Sequence, residues 1–306
     1  MTETVRGARD KGDRPSVILI ADDLTGAADS GVAFAKAGAA VVVGWDPADI
    51  PNADVVVLST ESRHRTPAEA VRRVTATVDA LSGYLRRVDP PLVYKKVDST
   101  LRGHPGLELA TVMGLLDSGS DCEMRGVSVD DASELVDDAS DVAEVMGSIG
   151  VRGRRGACSA LVAPAFPAEG RVTRDGVHYV HDVPLAQTVF ATDDASSQVV
   201  AHFQGAFGPN AVASLPLALV REGAAALRAT LCRPDITPPG SPGRVVVADA
   251  VTAADLSSLA GAALATGLRC FCGSAGLAEA LAQQLAEVCG WSTPVAAKPV
   301  PQGVHA

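Results

Sequence analysis

The chain has 306 residues, of which 47% are hydrophobic and 20% charged. That excludes wholesale disorder and supplies enough apolar material for a core without disulfide or metal staples. Lys and Arg number 26 against 36 Asp and Glu, a net charge of −10, and aromatics make up 4%; this excludes a general nucleic-acid-binding surface but leaves room for a small anion held by a local cationic cluster.

Residues 1–15 are polar and read as a frayed tail. Val17–Ala21 is a short apolar run, too short for a membrane span or signal core, that ends in Asp22-Asp23. It predicts a buried parallel strand. A helix over Ala27–Ala37 closes at Gly38, and strands follow at Ala39–Gly44 and Asp54–Ser59. Pro67–Leu85 reads as one long helix with Pro67 in its first turn and Val71, Val74, Val78 and Leu81 on one face. Leu92–Lys95 is the next strand, Gly106–Leu116 a helix, and Ala160–Ala163 a fifth strand. This alternation predicts a three-layer α/β domain with a mainly parallel sheet. Between Asp117 and Cys158 the composition turns acidic, which predicts a surface insertion dispensable for the fold. Asp175-Gly176 marks a hairpin.

Pro234–Gly243 is rich in Pro and Gly and reads as a linker. Beyond it, strand Arg244–Ala248, helix Ala253–Leu264, strand Leu268–Cys272 and helix Leu277–Val288 suggest a partial second α/β domain. The expected organisation is therefore a domain over 16–233 with an insertion at 117–158, a linker at 234–243, and a partial domain over 244–306. The six cysteines are irregularly spaced without a CxxC, so neither disulfides nor a bound metal are expected. Reduced cysteines and the lack of a long apolar run predict a cytoplasmic protein with no membrane contact; a homo-oligomer is compatible.

Ligands of open α/β sheets bind beyond the carboxyl ends of the strands. The first strand delivers Asp22, Asp23, Thr25 and Gly26 there. Glu61, Arg63 and His64 follow the third. Lys95, Lys96, Asp98, Ser99, Thr100 and Arg102 belong to the fourth, and Phe166, Gly170 and Arg171 to the fifth. Singly these are weak signals, since an Asp before a helix is commonly its N-cap and loop cations are commonly solvated. Together they form a cationic rim with carboxylates at one sheet edge. Arg63, Lys96 and Arg102 suit a carboxylate or phosphate, and an Asp can accept a proton from a hydroxyl. The chemistry implied is binding of a small polyhydroxylated anion. A phosphate-binding G-x-x-x-x-G-K-[ST] loop, a G-x-G-x-x-G after the first strand and a G-x-S-x-G are all absent from the string.

Five segments in order, Ala21-Asp22-Asp23-Leu24-Thr25-Gly26-Ala27-Ala28-Asp29, Glu61-Ser62-Arg63, Lys95-Lys96-Val97-Asp98-Ser99-Thr100-Leu101-Arg102-Gly103, Ala163-Pro164-Ala165-Phe166-Pro167 with Gly170-Arg171, and Gly273-Ser274-Ala275-Gly276-Leu277-Ala278, resemble the four-carbon acid sugar kinase family over residues 16–290. The resemblance implies ATP-dependent phosphorylation of a tetronate or 3-oxo-tetronate, with Mg²⁺ arriving with ATP. It implies an acid-sugar site lined by Asp23, Arg63, Lys96, Asp98 and Arg102, with Asp23 or Asp98 as the base and Asp22, Thr25 and Lys95 beside them. It also implies that the turn of Gly273, Ser274 and Gly276 contacts ATP. In the family the nucleotide domain runs further than this chain does, so the expectation is tetronate binding with weak nucleotide affinity and depressed turnover. A binding protein without catalysis is the alternative.

Overall fold

The computed structural model describes residues 15–44, 53–86, 89–117, 159–191, 196–208, 210–232 and 244–291. The acidic insertion beyond 117, the linker at 234–243 and both terminal tails lie outside these residues.

Eight strands form one parallel sheet in the order β2-β3-β1-β4-β11-β5-β10-β9. They are β1 Val17–Ala21, β2 Val41–Gly44, β3 Val55–Ser59, β4 Leu92–Lys96, β5 Ser159–Ala163, β9 Val212–Leu215, β10 Arg244–Ala248 and β11 Cys270–Gly273. A small antiparallel sheet joins β6 Arg171–Arg174, β7 Val177–Val180 and β8 Val183–Pro184, turning at Asp175-Gly176 where the hairpin is expected.

The helices are α1 Leu24–Lys36, α2 Pro67–Ala80, α3 Ser82–Leu85, α4 Pro105–Asp117, α5 Ala201–Phe207, α6 Leu217–Val220, α7 Ala224–Cys232, α8 Ala253–Ala265 and α9 Ala275–Cys289. The long helix expected over 67–85 is two, broken at Leu81, whose fully buried side chain packs under the sheet. Missing from the sequence reading are β9, α5, α6 and α7.

Alternate residues of each strand enter different cores, as the period of two requires. Val17, Leu19, Tyr94, Leu161 and Phe271 pack with α1, α8 and α9 on one face. Ile18, Ile20, Val56 and Val93 pack with α2 on the other, where Val162, Val247 and Cys272 continue the layer under α4 and α5. Cys270 and Cys272 are both buried in this layer, and burial pushes the Cys272 thiol up to about 12, so it behaves as an inert apolar group.

The second α/β unit expected after residue 243 is corrected by the topology. Strand β11 inserts between β4 and β5, and β10 between β5 and β9. Each satisfies backbone groups on both sides that would otherwise be exposed edges, so residues 244–289 complete the first sheet rather than start another.

Strand β1 lies between β3 and β4. The chain leaves β1 toward β2 and β3 and then returns past it to β4, which makes the β1/β4 boundary a topological switch point. Crevices for ligands open at the carboxyl ends of strands at such points, and Asp22-Asp23 and Lys96 sit there.

Candidate active site at the strand ends

Beyond the carboxyl ends of β1, β4 and β5 lies a cleft of about 510 Å³. Its α1 wall is made by Thr25, Asp29, Val32, Ala33 and Lys36, which share one helical face. Arg63, Lys96, Asp98 and Arg102 stand opposite, and Phe166, Glu169, Arg171, Ala275 and Glu279 complete the rim.

Asp23 is the N-cap of α1, where its Oδ1 accepts from Gly26 N at 2.8 Å. It also belongs to an ionic knot. Arg63 donates from Nε and Nη2 to Asp22 at 2.7 and 2.9 Å, and from Nη1 and Nη2 to Asp23, both at 2.6 Å. Only an arginine fork can serve two adjacent carboxylates in this way. Burial works against the charge on Arg63, but its bond to Asp22 and the fields of Asp22, Asp98 and Asp23 hold its pKa above the ordinary value. The Arg63 loop is tied to β1 by Ser62 N and Arg63 N, which donate to Asp22 O at 2.9 and 3.2 Å.

Asp98 is saturated differently. Arg102 donates from Nε at 2.6 Å and from Nη2 at 3.1 Å, and the Thr100 hydroxyl adds a short bond. Burial alone would raise this carboxyl. The bonds from Arg102 and Thr100, with the charges of Arg63 and Arg102, override that and hold it well below the usual carboxylate range. Leu101 adopts a left-handed φ of 58°, which turns the loop so that Arg102 reaches back to Asp98; such conformations persist in a non-glycine residue where surrounding bonds over-determine them.

Lys96 has no such partner. Its ammonium donates to Val97 O at 2.9 Å, and among the described residues no carboxylate lies within 4 Å of it. Burial lowers its pKa, and the attractions of Asp22 and Asp98 recover part of that. Gly26 makes room for this group: a Cβ there would lie 2.8 Å from Lys96 Nζ and 2.6 Å from Asp23 Oδ1.

The family model for a sugar-binding N-terminal domain matches residues 17–281. The chain belongs to this family of sugar-binding N-terminal domains. A D-threonate kinase of Cupriavidus necator is 34% identical over 278 residues, covering 87% of this chain and 54% of that protein. A D-erythronate kinase of Heliobacterium modesticaldum is 32% identical over 261 residues, covering 83% and 49%. The chain thus spans about half the length of the curated relatives it matches. A Haemophilus influenzae structure superposes with a TM-score of 0.64 at 20% identity, over 88% of this chain and 56% of that one, which shows the shared fold. A Bordetella bronchiseptica domain with bound citrate, described as a domain-swapped dimer, gives a TM-score of 0.60 at 29% identity over 88% and 55%. These matches agree with the resemblance to four-carbon acid sugar kinases.

Within the sugar-binding domain, the residues expected at the site divide into four groups. Asp23, Thr25, Arg63, Lys96, Asp98 and Arg102 all line the one cleft. Asp22 lies behind it as a buried acceptor for Arg63.

Lys95 is a correction. It follows Tyr94 in β4 and so points to the opposite face of the sheet from Lys96. There its Nζ sits 2.8 Å from Glu108 Oε2 of α4, with both side chains sealed from solvent, and donates to Lys96 O at 2.8 Å. Glu108 also accepts from the Ser62 hydroxyl at 2.9 Å. This pair ties α4 and the Arg63 loop to the sheet and cannot touch a ligand in the cleft.

The turn of Gly273, Ser274 and Gly276 sits beside the same cleft, not in a separate domain. Its side-chain chemistry is internal. The Ser274 hydroxyl donates to Ala165 O at 2.7 Å, accepts from Gly276 N at 3.1 Å, and is fully buried. A Cβ on Gly273 or Gly276 would lie 2.5 Å from Ala163 O or 2.8 Å from Ala165 O, so close packing against the end of β5 accounts for both glycines. What the turn offers a ligand is the first turn of α9, whose Ala275 and Glu279 line the cleft. Glu279 and Lys36 escaped the sequence reading; each lies one or more helical turns past a motif residue on the same face, the one signal that points to them, whereas Asp29 closes the first family segment without being singled out as a site residue.

Among the described residues no helix is long and apolar enough to cross a membrane. No group of three or more His, Cys, Asp or Glu among them is placed to hold a metal ion.

Proposed function

We propose that this chain binds a four-carbon sugar acid, a tetronate or 3-oxo-tetronate, and forms the acid-sugar half of an ATP-dependent kinase. The observation that carries the reading is the convergence of Asp23, Asp98 and the unpaired Lys96 on one cleft of a sugar-binding domain. Ionised carboxylates accept from sugar hydroxyls, and a buried ammonium attracts the acid group. The names of the relatives supply the substrate class.

The two carboxylates take different roles. Asp98 is held well below the usual range by Arg102 and Thr100, so it orients a hydroxyl rather than removing its proton. Asp23 is more open to the cleft, and it is the group that accepts the proton of the attacking hydroxyl. Arg63 fixes Asp23 in place. Lys96 supplies positive charge for the acid group of the substrate. ATP, carrying Mg²⁺, supplies the phosphoryl group and approaches along the α9 side, where the first turn of the helix favours an anion.

The second reading, a sugar-acid-binding protein without catalysis, rests on the match to a sugar-binding domain. Calorimetry with D-threonate and D-erythronate, paired with an ADP-release assay, separates the two. Binding with turnover of ~1–100 s⁻¹ supports the kinase, and binding without turnover supports the second reading. Lack of binding to any tetronate overturns both.

A further inference from the structure

The cleft holds five basic side chains, Lys36, Arg63, Lys96, Arg102 and Arg171, that are not equally available. Arg63 is committed to Asp22 and Asp23, and Arg102 to Asp98. Arg171 differs. Its closest carboxylate among the described residues is Glu169, with Nη1–Oε2 at 3.7 Å, and the Glu169 side chain is 57% exposed; such a pair is weak and largely screened. Its Nε is buried without any hydrogen-bond partner. A buried donor of a charged group left unpaired is costly, so native structures rarely keep one without use.

The backbone holds Arg171 firmly. It exchanges two hydrogen bonds with Phe166, N to O at 3.1 Å and O to N at 2.7 Å. Between them runs a tight turn that ends at Gly170 with φ 66°. A Cβ at Gly170 would lie 2.4 Å from His181 Nδ1. Arg171 is therefore a preorganised donor on a rigid platform rather than a surface arginine on a loose loop.

We propose that Arg171 is the anchor for the substrate's carboxylate, gripping it through its guanidinium, with Lys96 providing the second positive charge. This inference rests on the sugar-acid reading and assigns its polarity. The acid end lies toward β6, and the hydroxyls lie toward Asp23 and Asp98. Arg63 and Arg102 then serve as positioning residues for those carboxylates rather than as grips on the ligand.

The test is titration calorimetry of the full chain with D-threonate, its uncharged amide D-threonamide, and citrate, using Arg171→Gln and Arg171→Lys. Circular dichroism melting controls for folding. The wild type should prefer D-threonate to the amide. Arg171→Gln should weaken D-threonate binding by about 10- to 100-fold, the value of a charge-assisted bond, and erase most of that preference. Arg171→Lys, which keeps the charge and loses the fork, should fall between and guards against a variant that misfolds. Unchanged D-threonate affinity in both folded variants overturns the anchor and leaves the sugar-acid reading standing. If the wild type binds citrate but no tetronate, and Arg171→Gln abolishes citrate binding, the anchor stands and the substrate class falls. Wild type that binds none of the three compounds overturns both.

Discussion

Lys95 and Lys96 are neighbours in the chain and face opposite sides of the sheet: Lys95 Nζ is 2.8 Å from Glu108 Oε2 beneath α4, while Lys96 Nζ donates to Val97 O and lines the cleft beside α1. The alternation of a β-strand forces this division. One lysine holds the fold and the other is left for a ligand.

Substituting the two should therefore give opposite phenotypes. Lys95→Met leaves Glu108 buried without its counter-charge and should cost about 3–5 kcal/mol in urea unfolding. Lys96→Met removes an unpaired, partly desolvated ammonium and should leave stability near or above that of the wild type, while D-threonate binding drops by at least tenfold. Equal stability losses in both would contradict the division of roles.

This contrast also marks what the sequence could disclose. Strands such as Val17–Ala21 and Arg244–Ala248 are legible to the residue, because unbroken β-branched runs bounded by turn residues admit little else. The cleft residues after β1 and β4 are legible too, since parallel strands deliver their next residues to one edge. The side each residue faces is not. A strand buried on both faces shows no polar alternation, so Lys95 and Lys96 look equivalent. Partner strands are equally hidden. Pro234–Gly243 looks like a domain linker because it is rich in turn residues, yet β10 and β11 return to the middle of the first sheet, a pairing across long sequence separation that local composition cannot encode. The helices α5, α6 and α7 are short, and α6 has only 4 residues, too few for periodicity to register.

Gly26→Ala is a steric probe of the site. The added methyl would press on Asp23 Oδ1 at 2.6 Å and Lys96 Nζ at 2.8 Å. Alanine is favoured over glycine within a helix by about 1 kcal/mol, so the substitution need not unfold the chain. D-threonate affinity should fall by about tenfold or more as the ammonium and carboxylate are displaced. Full affinity measured by calorimetry would place the ligand away from this pair.

Arg63 tests the ionic knot. Arg63→Gln leaves Asp22 and Asp23 adjacent without their shared cation, and the expected loss is about 3–5 kcal/mol of stability together with ligand binding. Arg63→Lys retains the charge but cannot bridge both carboxylates, so an intermediate loss is expected. The two variants should rank in that order by chemical denaturation; lysine behaving like the wild type would show that charge alone suffices.

The last expectation is a pH dependence that originates at His178. This side chain is fully buried, and its Nε2 lies 2.7 Å from Ser99 O. A carbonyl only accepts, so Nε2 carries the proton, and Nδ1 accepts from the Thr173 hydroxyl at 3.0 Å. Burial, reinforced by the positive charges of His202 and Arg171 and opposed by the bond to Ser99, lowers the imidazole from 6.5 to about 4. Between those values the unfolded chain binds more protons than the folded one. The stabilisation is complete above pH about 6.5 and is lost as the pH falls toward 4, by on the order of 3 kcal/mol. The added proton goes to Nδ1, which faces the Thr173 hydroxyl, and the Nε2 bond to Ser99 O stays in place, so the cost falls on the fold rather than on the cleft loop that carries Ser99. His178→Gln can still donate to Ser99 O but does not titrate. It should flatten the slope of stability between pH 4 and 6.5 while the steeper loss below pH 4, driven by Asp98, remains. An unchanged slope in urea unfolding across that window would assign the dependence to another group.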